Sequence, residues 1–259
     1  MTDIRLGSMV MEGAGEGPPV VMVHGLGGSS NSFQTLMSAL EGYRVLRPDL
    51  PGAGRSALRP GRPGLDGLAA ALRDGLRAAG VTRAHFVGHS MGTLICQYLA
   101  AGTSALVGSL TLFGAILEPP ATARQALKER AAAVRTGGMA GIADAVSTGS
   151  VSAESRAANP VTAAFVRESL LQQDPSGYAA HCEALSAAAA ADHAAIRCPA
   201  LLVAGEADAV APVEMARRLK ERIAGSRLET LPGVGHWMMV EAPKRAAELL
   251  RAQVEATAL

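Results

Sequence analysis

Apolar residues in this chain gather into short unbroken runs separated by longer stretches of helical spacing. "PPVVMVHG" (residues 18–25), "GYRVLRPDLPG" (42–52), "RAHFVGH" (83–89) and "VGSLTLFG" (107–114) each contain such a run, bounded by glycine, proline or charge. A run of that length without polar alternation is what a strand buried on both faces requires. Between them, Leu65, Leu68, Leu72 and Leu76 fall on one stripe of a helix expected over 64–80. Met91, Leu94, Ile95, Tyr98 and Leu99 do the same for a helix over 91–101. The rhythm returns near the end, with a strand in "CPALLVAGEAD" (198–208) and a helix in "PVEMARRLKERIAG" (212–225). A strand in "SRLETLP" (226–232) and a last helix from about Pro243 complete it. Strands alternating with helices predict an α/β fold with a mostly parallel central sheet flanked by helices.

From residue 118 to 195 the alternation stops. The stretch is rich in alanine and helical in character, with breakers at Gly137-Gly138 and Asn159-Pro160 and no strand run. A helical stretch set inside an α/β alternation is expected to form a lid. The chain then divides into core residues 1–117, a helical lid over 118–195, and core residues 196–259.

Composition narrows the partners. At 259 residues and 49% apolar content, the chain is long enough for one well-cored domain carrying an insertion. Lys plus Arg number 24 against 23 Asp plus Glu, a formal net charge of +1. This balance gives no electrostatic reason to expect nucleic acid or an anionic membrane. One Trp, three Tyr and four Phe are also few for base stacking. Cys96, Cys182 and Cys198 are odd in number and form no CxxC pair, so no disulfide framework is expected. "MTDIRLGSMVMEG" at the start lacks a secretory apolar region, and no apolar run reaches the roughly 18 residues of a membrane span. A soluble cytoplasmic protein with a small-molecule substrate is the expectation.

The chemistry gathers at the ends of the strands. Gly88-His89-Ser90-Met91-Gly92 has the G-x-S-x-G spacing directly after one strand and before a helix. Flanking glycines let such a turn tighten, so the serine hydroxyl projects from its apex; the plainer alternative is a helix-capping serine. A serine hydroxyl needs a base, and "PGVGHWMMVEAP" supplies His236 after the final strand. The ring needs an orienting carboxylate, for which Asp208 is favoured and Glu206 is the rival two residues away. The order Ser90, Asp208, His236 is nucleophile, acid, base. "HGLGGSSNSF" (24–33) follows the first buried strand and lacks both GKS/T and GxGxxG spacing, which argues against phosphate cradling. Its Leu26 amide, with that of Met91, is the expected oxyanion hole. Trp237 is a candidate pocket residue, while His24 and His89 are assigned to bracing the two turns. His85, His181 and His193 form no metal pattern, and neither metal nor cofactor is expected. Among Arg124, Arg130, Arg135, Arg156 and Arg167 the sequence does not say which, if any, meets a substrate carboxylate.

The segments "HGLGG", "RPDLPGAGRS", "VGHSMG", "LLVAGEAD" and "PGVGHW" together resemble the α/β-hydrolase superfamily over essentially the whole chain. The resemblance implies that fold, Ser90 as nucleophile, Asp208 as acid, His236 as base, and the Leu26 and Met91 amides as oxyanion donors. "DPSGYAAHCEALSAAAAADHAAI" (174–196) is similar to the 3-oxoadipate enol-lactonase and small carboxylesterase branch. That branch implies hydrolysis of a small ester or lactone, an enol-lactone included, through an acyl-enzyme. C–C bond hydrolases of the meta-cleavage type and cofactor-free perhydrolases share the serine arrangement and stand as alternatives. Haloalkane dehalogenases use an aspartate where Ser90 stands. A ligand receptor built on a hydrolase fold is the rival from outside enzymes.

Overall fold

The buried apolar runs become adjacent strands of one eight-stranded sheet. The computed structural model describes residues 2–6, 9–58, 61 and 64–259. The strands are β1 (Thr2–Leu6), β2 (Met9–Ala14), β3 (Pro19–Val23), β4 (Arg44–Asp49), β5 (Ala84–His89), β6 (Val107–Phe113), β7 (Ala200–Gly205) and β8 (Arg227–Leu231). They lie in the order β1-β2-β4-β3-β5-β6-β7-β8, antiparallel at β1–β2 and β2–β4 and parallel elsewhere. Every residue of β5, β6 and β7 is buried, as strands covered on both faces must be.

The helices are α1 (Leu65–Ala78), α2 (Met91–Gly102), α3 (Ala121–Gly137), α4 (Ala140–Ser150), α5 (Ala153–Ala158), α6 (Pro160–Leu171), α7 (Pro175–Ala187), α8 (Val213–Arg222), α9 (Met238–Glu241) and α10 (Pro243–Glu255). The stripe Leu65, Leu68, Leu72 and Leu76 is buried on α1. Full burial of each such side chain contributes about 1.5–3 kcal/mol. The breakers act locally. Gly138 takes φ 71° just past α3, and the Asn159 side chain accepts the Val161 amide while Pro160 opens α6. Helices α3 to α7 fill the chain between β6 and β7.

Two features depart from the sequence reading. The first residues form strands β1 and β2, neither of which carries an apolar run longer than three residues. β1 is largely exposed at the sheet edge, so it needs only one apolar face and gives a weak signal. Residues Ser30–Leu40, in and beyond the glycine-rich loop, form a 3-10 helix with buried Phe33, Leu36 and Leu40.

Register lines up the strand ends. Val23 pairs with Gly88, Gly88 with Leu112, and Gly205 with Leu231, so the loops after β3, β5, β6, β7 and β8 open on one edge. Ligand crevices of open α/β sheets form outside the carboxyl ends of strands. Among the described residues, no helix is long and apolar enough to cross a membrane.

Candidate functional site

Ser90 follows β5 directly and is the only non-glycine residue with positive φ among those described, at φ 52° and ψ −121°. That strain persists because the surroundings fix both sides. The Ser90 amide donates to the Phe113 carbonyl at 3.0 Å, while the Ser90 carbonyl accepts the Thr93 amide at 2.8 Å and hydroxyl at 2.6 Å. Thr93 Oγ1 in turn accepts the Ile116 amide at 3.0 Å. Gly92 lets α2 start against β3: a Cβ there would stand 2.1 Å from the Val23 carbonyl oxygen. The Ser90 hydroxyl faces a cavity of about 370 Å³ and has no hydrogen-bond partner among the described residues.

His236 follows β8 and lines the same cavity. Its Nδ1 lies 2.8 Å from Asp208 Oδ2, with both side chains buried. The other Asp208 oxygen accepts the amides of Val210 and Ala211, each at 2.8 Å. Burial alone would raise the Asp208 pKa. The His236 ring and the two amides outweigh it and hold the carboxyl below its ordinary value. Among the described residues, Glu206, the rival carboxylate, forms no hydrogen bond or ion pair with His236, and it is exposed. Gly114, after β6, has φ 60°, and a Cβ there would come within 3.0 Å of the His236 ring.

The His236 loop is gathered by a residue that the sequence reading missed. Glu241 accepts the Gly235 amide at 2.8 Å and the Trp237 amide at 2.9 Å, together with the Ser152 amide at 3.0 Å. The His236 amide donates to the Ser150 carbonyl at 2.8 Å, and Trp237 Nε1 donates to Ser150 Oγ at 3.0 Å. The only signal for Glu241 is an acid four residues after Trp237, at the end of the four-residue α9. His89 packs between His236 and Trp237, 4.9 Å from each ring. Its Nε2–H donates to the His236 carbonyl at 2.9 Å. Burial, with His236 beside it, pushes the His89 pKa down to about 3, so the ring is neutral.

The oxyanion candidates also meet here. Leu26 lines the cavity, and Met91 is the first residue of α2, where amides lack an intrahelical acceptor. Among the described residues neither amide has a protein acceptor. His24 fixes the Leu26 loop: Nδ1–H donates to the Gly25 carbonyl at 2.8 Å, and Nε2 accepts the Leu50 amide at 3.0 Å. Burial lowers its pKa and keeps it neutral. Trp237 lines the cavity as well. The described residues hold no group of three or more metal-ligating side chains.

Comparisons with known proteins identify the fold family. The alpha/beta hydrolase fold family matches residues 18–243. The chain is 27% identical over 244 residues to 3-oxoadipate enol-lactonase 1 of Acinetobacter baylyi, covering 93% of this chain and 90% of that one. It is 23% identical over 247 residues to (E)-2-((N-methylformamido)methylene)succinate hydrolase of the same organism, covering 94% and 92%. The crystal structure of the enol-lactonase from Burkholderia xenovorans LB400 superposes with a TM-score of 0.88 at 26% identity, covering 98% of this chain and all of that one.

Proposed function

The chain belongs to the α/β-hydrolase family and is a hydrolase of the ester or lactone type, and on that premise we propose that it works through an acyl-enzyme on Ser90. The observation that carries this reading is the buried 2.8 Å contact between His236 and Asp208 behind the cavity that Ser90 and His236 share. Asp208 accepts the Nδ1 proton and leaves Nε2 of His236 as the base. Ser90 Oγ attacks the substrate carbonyl carbon as its proton passes to Nε2. The carbonyl oxygen becomes an oxyanion facing the Leu26 and Met91 amides. Collapse expels the alkoxide, which takes the proton from His236. Water then attacks the acyl-enzyme, with His236 again the base, and Ser90 is released. Hydrogen bonds such as Ser90 to His236 commonly tighten only when substrate is bound.

In a lactone the expelled alkoxide stays tethered to the acyl group and must swing aside before water attacks. An enol-lactone suits that course, since its leaving enolate is stable and becomes a ketone. Residues 118–195 act as a lid over the edge formed by core residues 1–117 and 196–259, because α3, α4 and α7 contribute walls of the cavity. A closed cover excludes bulk water and limits substrates to small molecules.

The test is kcat/KM on short aryl esters, simple lactones and an enol-lactone, with Ser90→Ala beside the native protein. Ester or lactone turnover that falls at least about 10³-fold in S90A is expected. Undiminished turnover in S90A would overturn the reading.

A further inference from the structure

The five arginines of the helical segment have different partners. Arg124 donates to the Ser186 carbonyl at 2.7 Å and pairs with Glu118. Arg135 pairs with Glu183 at 2.6 Å, and Arg167 with Asp144 at 2.6 Å. Arg156 donates to the carbonyls of Thr148 and Val151. Arg130, on α3, has no ion pair with a carboxylate among the described residues. It is half-buried and lines the same cavity as Ser90 and His236.

The surroundings sharpen this contrast. No Asp or Glu lines the cavity among the described residues, and Arg130 is its only Lys or Arg. Leu127, Ile142 and Val146 make much of the remaining wall apolar. Beside Arg130 lie the Tyr178 hydroxyl and the Cys182 thiol, both neutral: burial raises the tyrosine pKa and pushes the thiol up to about 12. Neither offsets a guanidinium charge. A charge on a largely apolar wall attracts an opposite charge more strongly than it would in water. The guanidinium fork also matches a carboxylate with two parallel hydrogen bonds.

We propose that Arg130 is the carboxylate-binding residue of the cavity, and that the substrate is an ester or lactone carrying a free carboxylate away from the reacting carbonyl. This rests on the serine-hydrolase reading and narrows it to anionic substrates. The apolar wall takes the carbon chain between the two ends. The arginine fixes one end, and the oxyanion donors fix the other.

The test compares isosteric ester pairs on the same protein. The p-nitrophenyl half-esters of succinic, glutaric and adipic acids are set against p-nitrophenyl butyrate, valerate and hexanoate. A second arm sets the butyrate ester of 4-hydroxybenzoate against phenyl butyrate, which places the carboxylate on the leaving group. The native protein should prefer a carboxylated member by about tenfold or more in kcat/KM. Arg130→Gln should lower that ratio by about 10- to 100-fold, the range expected when a charged hydrogen-bond pair is lost. Arg130→Lys should retain part of the preference, and Arg167→Gln should leave the ratio unchanged. Because each ratio is internal to one protein sample, loss of folded protein cancels from it. The arm in which the preference appears tells whether the acyl or the alcohol portion lies beneath α3.

No preference in either arm, or a ratio lowered equally by R130Q and R167Q, overturns the proposal. Ser90-dependent turnover without carboxylate preference would defeat this inference alone. Absence of Ser90-dependent turnover of any ester would defeat the hydrolase mechanism, and this inference with it.

Discussion

The Ser90 turn and the His236 loop face the same cavity but are held in place by different means. The Ser90 turn is fixed mainly by backbone: a glycine packed on β3, an amide bonded to β6, and a helix starting at the next residue. The His236 loop relies on one carboxylate, Glu241, which collects three amides, one of them from Ser152. Ser150, at the end of α4, takes the His236 amide on its carbonyl and the Trp237 ring on its hydroxyl. The nucleophile candidate therefore belongs to the sheet, whereas the base candidate is also tied to the helical segment over the cavity. A disturbance of that segment should reach His236 before it reaches Ser90.

The largest effect should come from breaking the sheet-held side. Gly92→Ala places a methyl 2.1 Å from the Val23 carbonyl oxygen and 2.6 Å from that of His24. Both obstacles are backbone, so no rotamer change relieves the clash. Destabilisation above about 4 kcal/mol is expected, with little folded protein left to assay. Urea unfolding of G92A measures it, and a native midpoint would show that the close approach of α2 to β3 is dispensable.

The other side should break more gently. In Glu241→Gln the amide group must replace one of two oxygens that both accept backbone N–H groups, so at least one donor loses its acceptor. Loss of about 1–3 kcal/mol is expected for such a buried donor. If it loosens the His236 loop, kcat/KM should fall by about 10- to 100-fold, at about 1.4 kcal/mol per tenfold. Covalent inactivation by an organophosphate should slow in parallel, because it too needs the base. A variant that loses stability but keeps the native inactivation rate would confine Glu241 to folding.

The same contrast governs what could be read from the sequence. The Ser90 turn was legible because its constraint is local: strand run, glycine, serine, glycine and helical stripe lie within about a dozen residues. Asp208 and His236 were legible as polar residues just past strand ends, in a set chain order. The breakers at Gly138 and Asn159-Pro160 were equally local. Glu241 was not legible, since its partners Gly235 and Ser152 lie 6 and 89 residues away and are backbone amides with no side-chain signature. Strand β1 escaped because an edge strand with one apolar face carries a weak pattern, and β2 because its apolar run, Met9 to Met11, is only three residues long. The five arginines looked alike in sequence, and only their tertiary neighbours set Arg130 apart.

The smallest effect at neutral pH concerns another tie between the helical segment and the sheet-edge loops. His181 on α7 donates from Nε2 to the Pro51 carbonyl at 2.9 Å, in the loop after β4. It is buried, and that burial lowers its pKa from 6.5 to about 4. Below pH 6.5 the unfolded chain takes up a proton that the folded ring resists, so stability falls as pH drops from about 6.5 through about 4. Such a shift corresponds to about 3 kcal/mol, at about 1.4 kcal/mol per pKa unit. His85, with a pKa lowered to about 4, and His89, lowered to about 3, act in the same direction. His181→Gln keeps an N–H for Pro51 and has nothing to titrate. H181Q should melt close to the native protein at pH 7 and lose less Tm between pH 6.5 and 4, with the slope from His85 and His89 remaining. Parallel Tm curves for the two proteins would mean that the α7 tie opens or hydrates enough to accept the proton without cost.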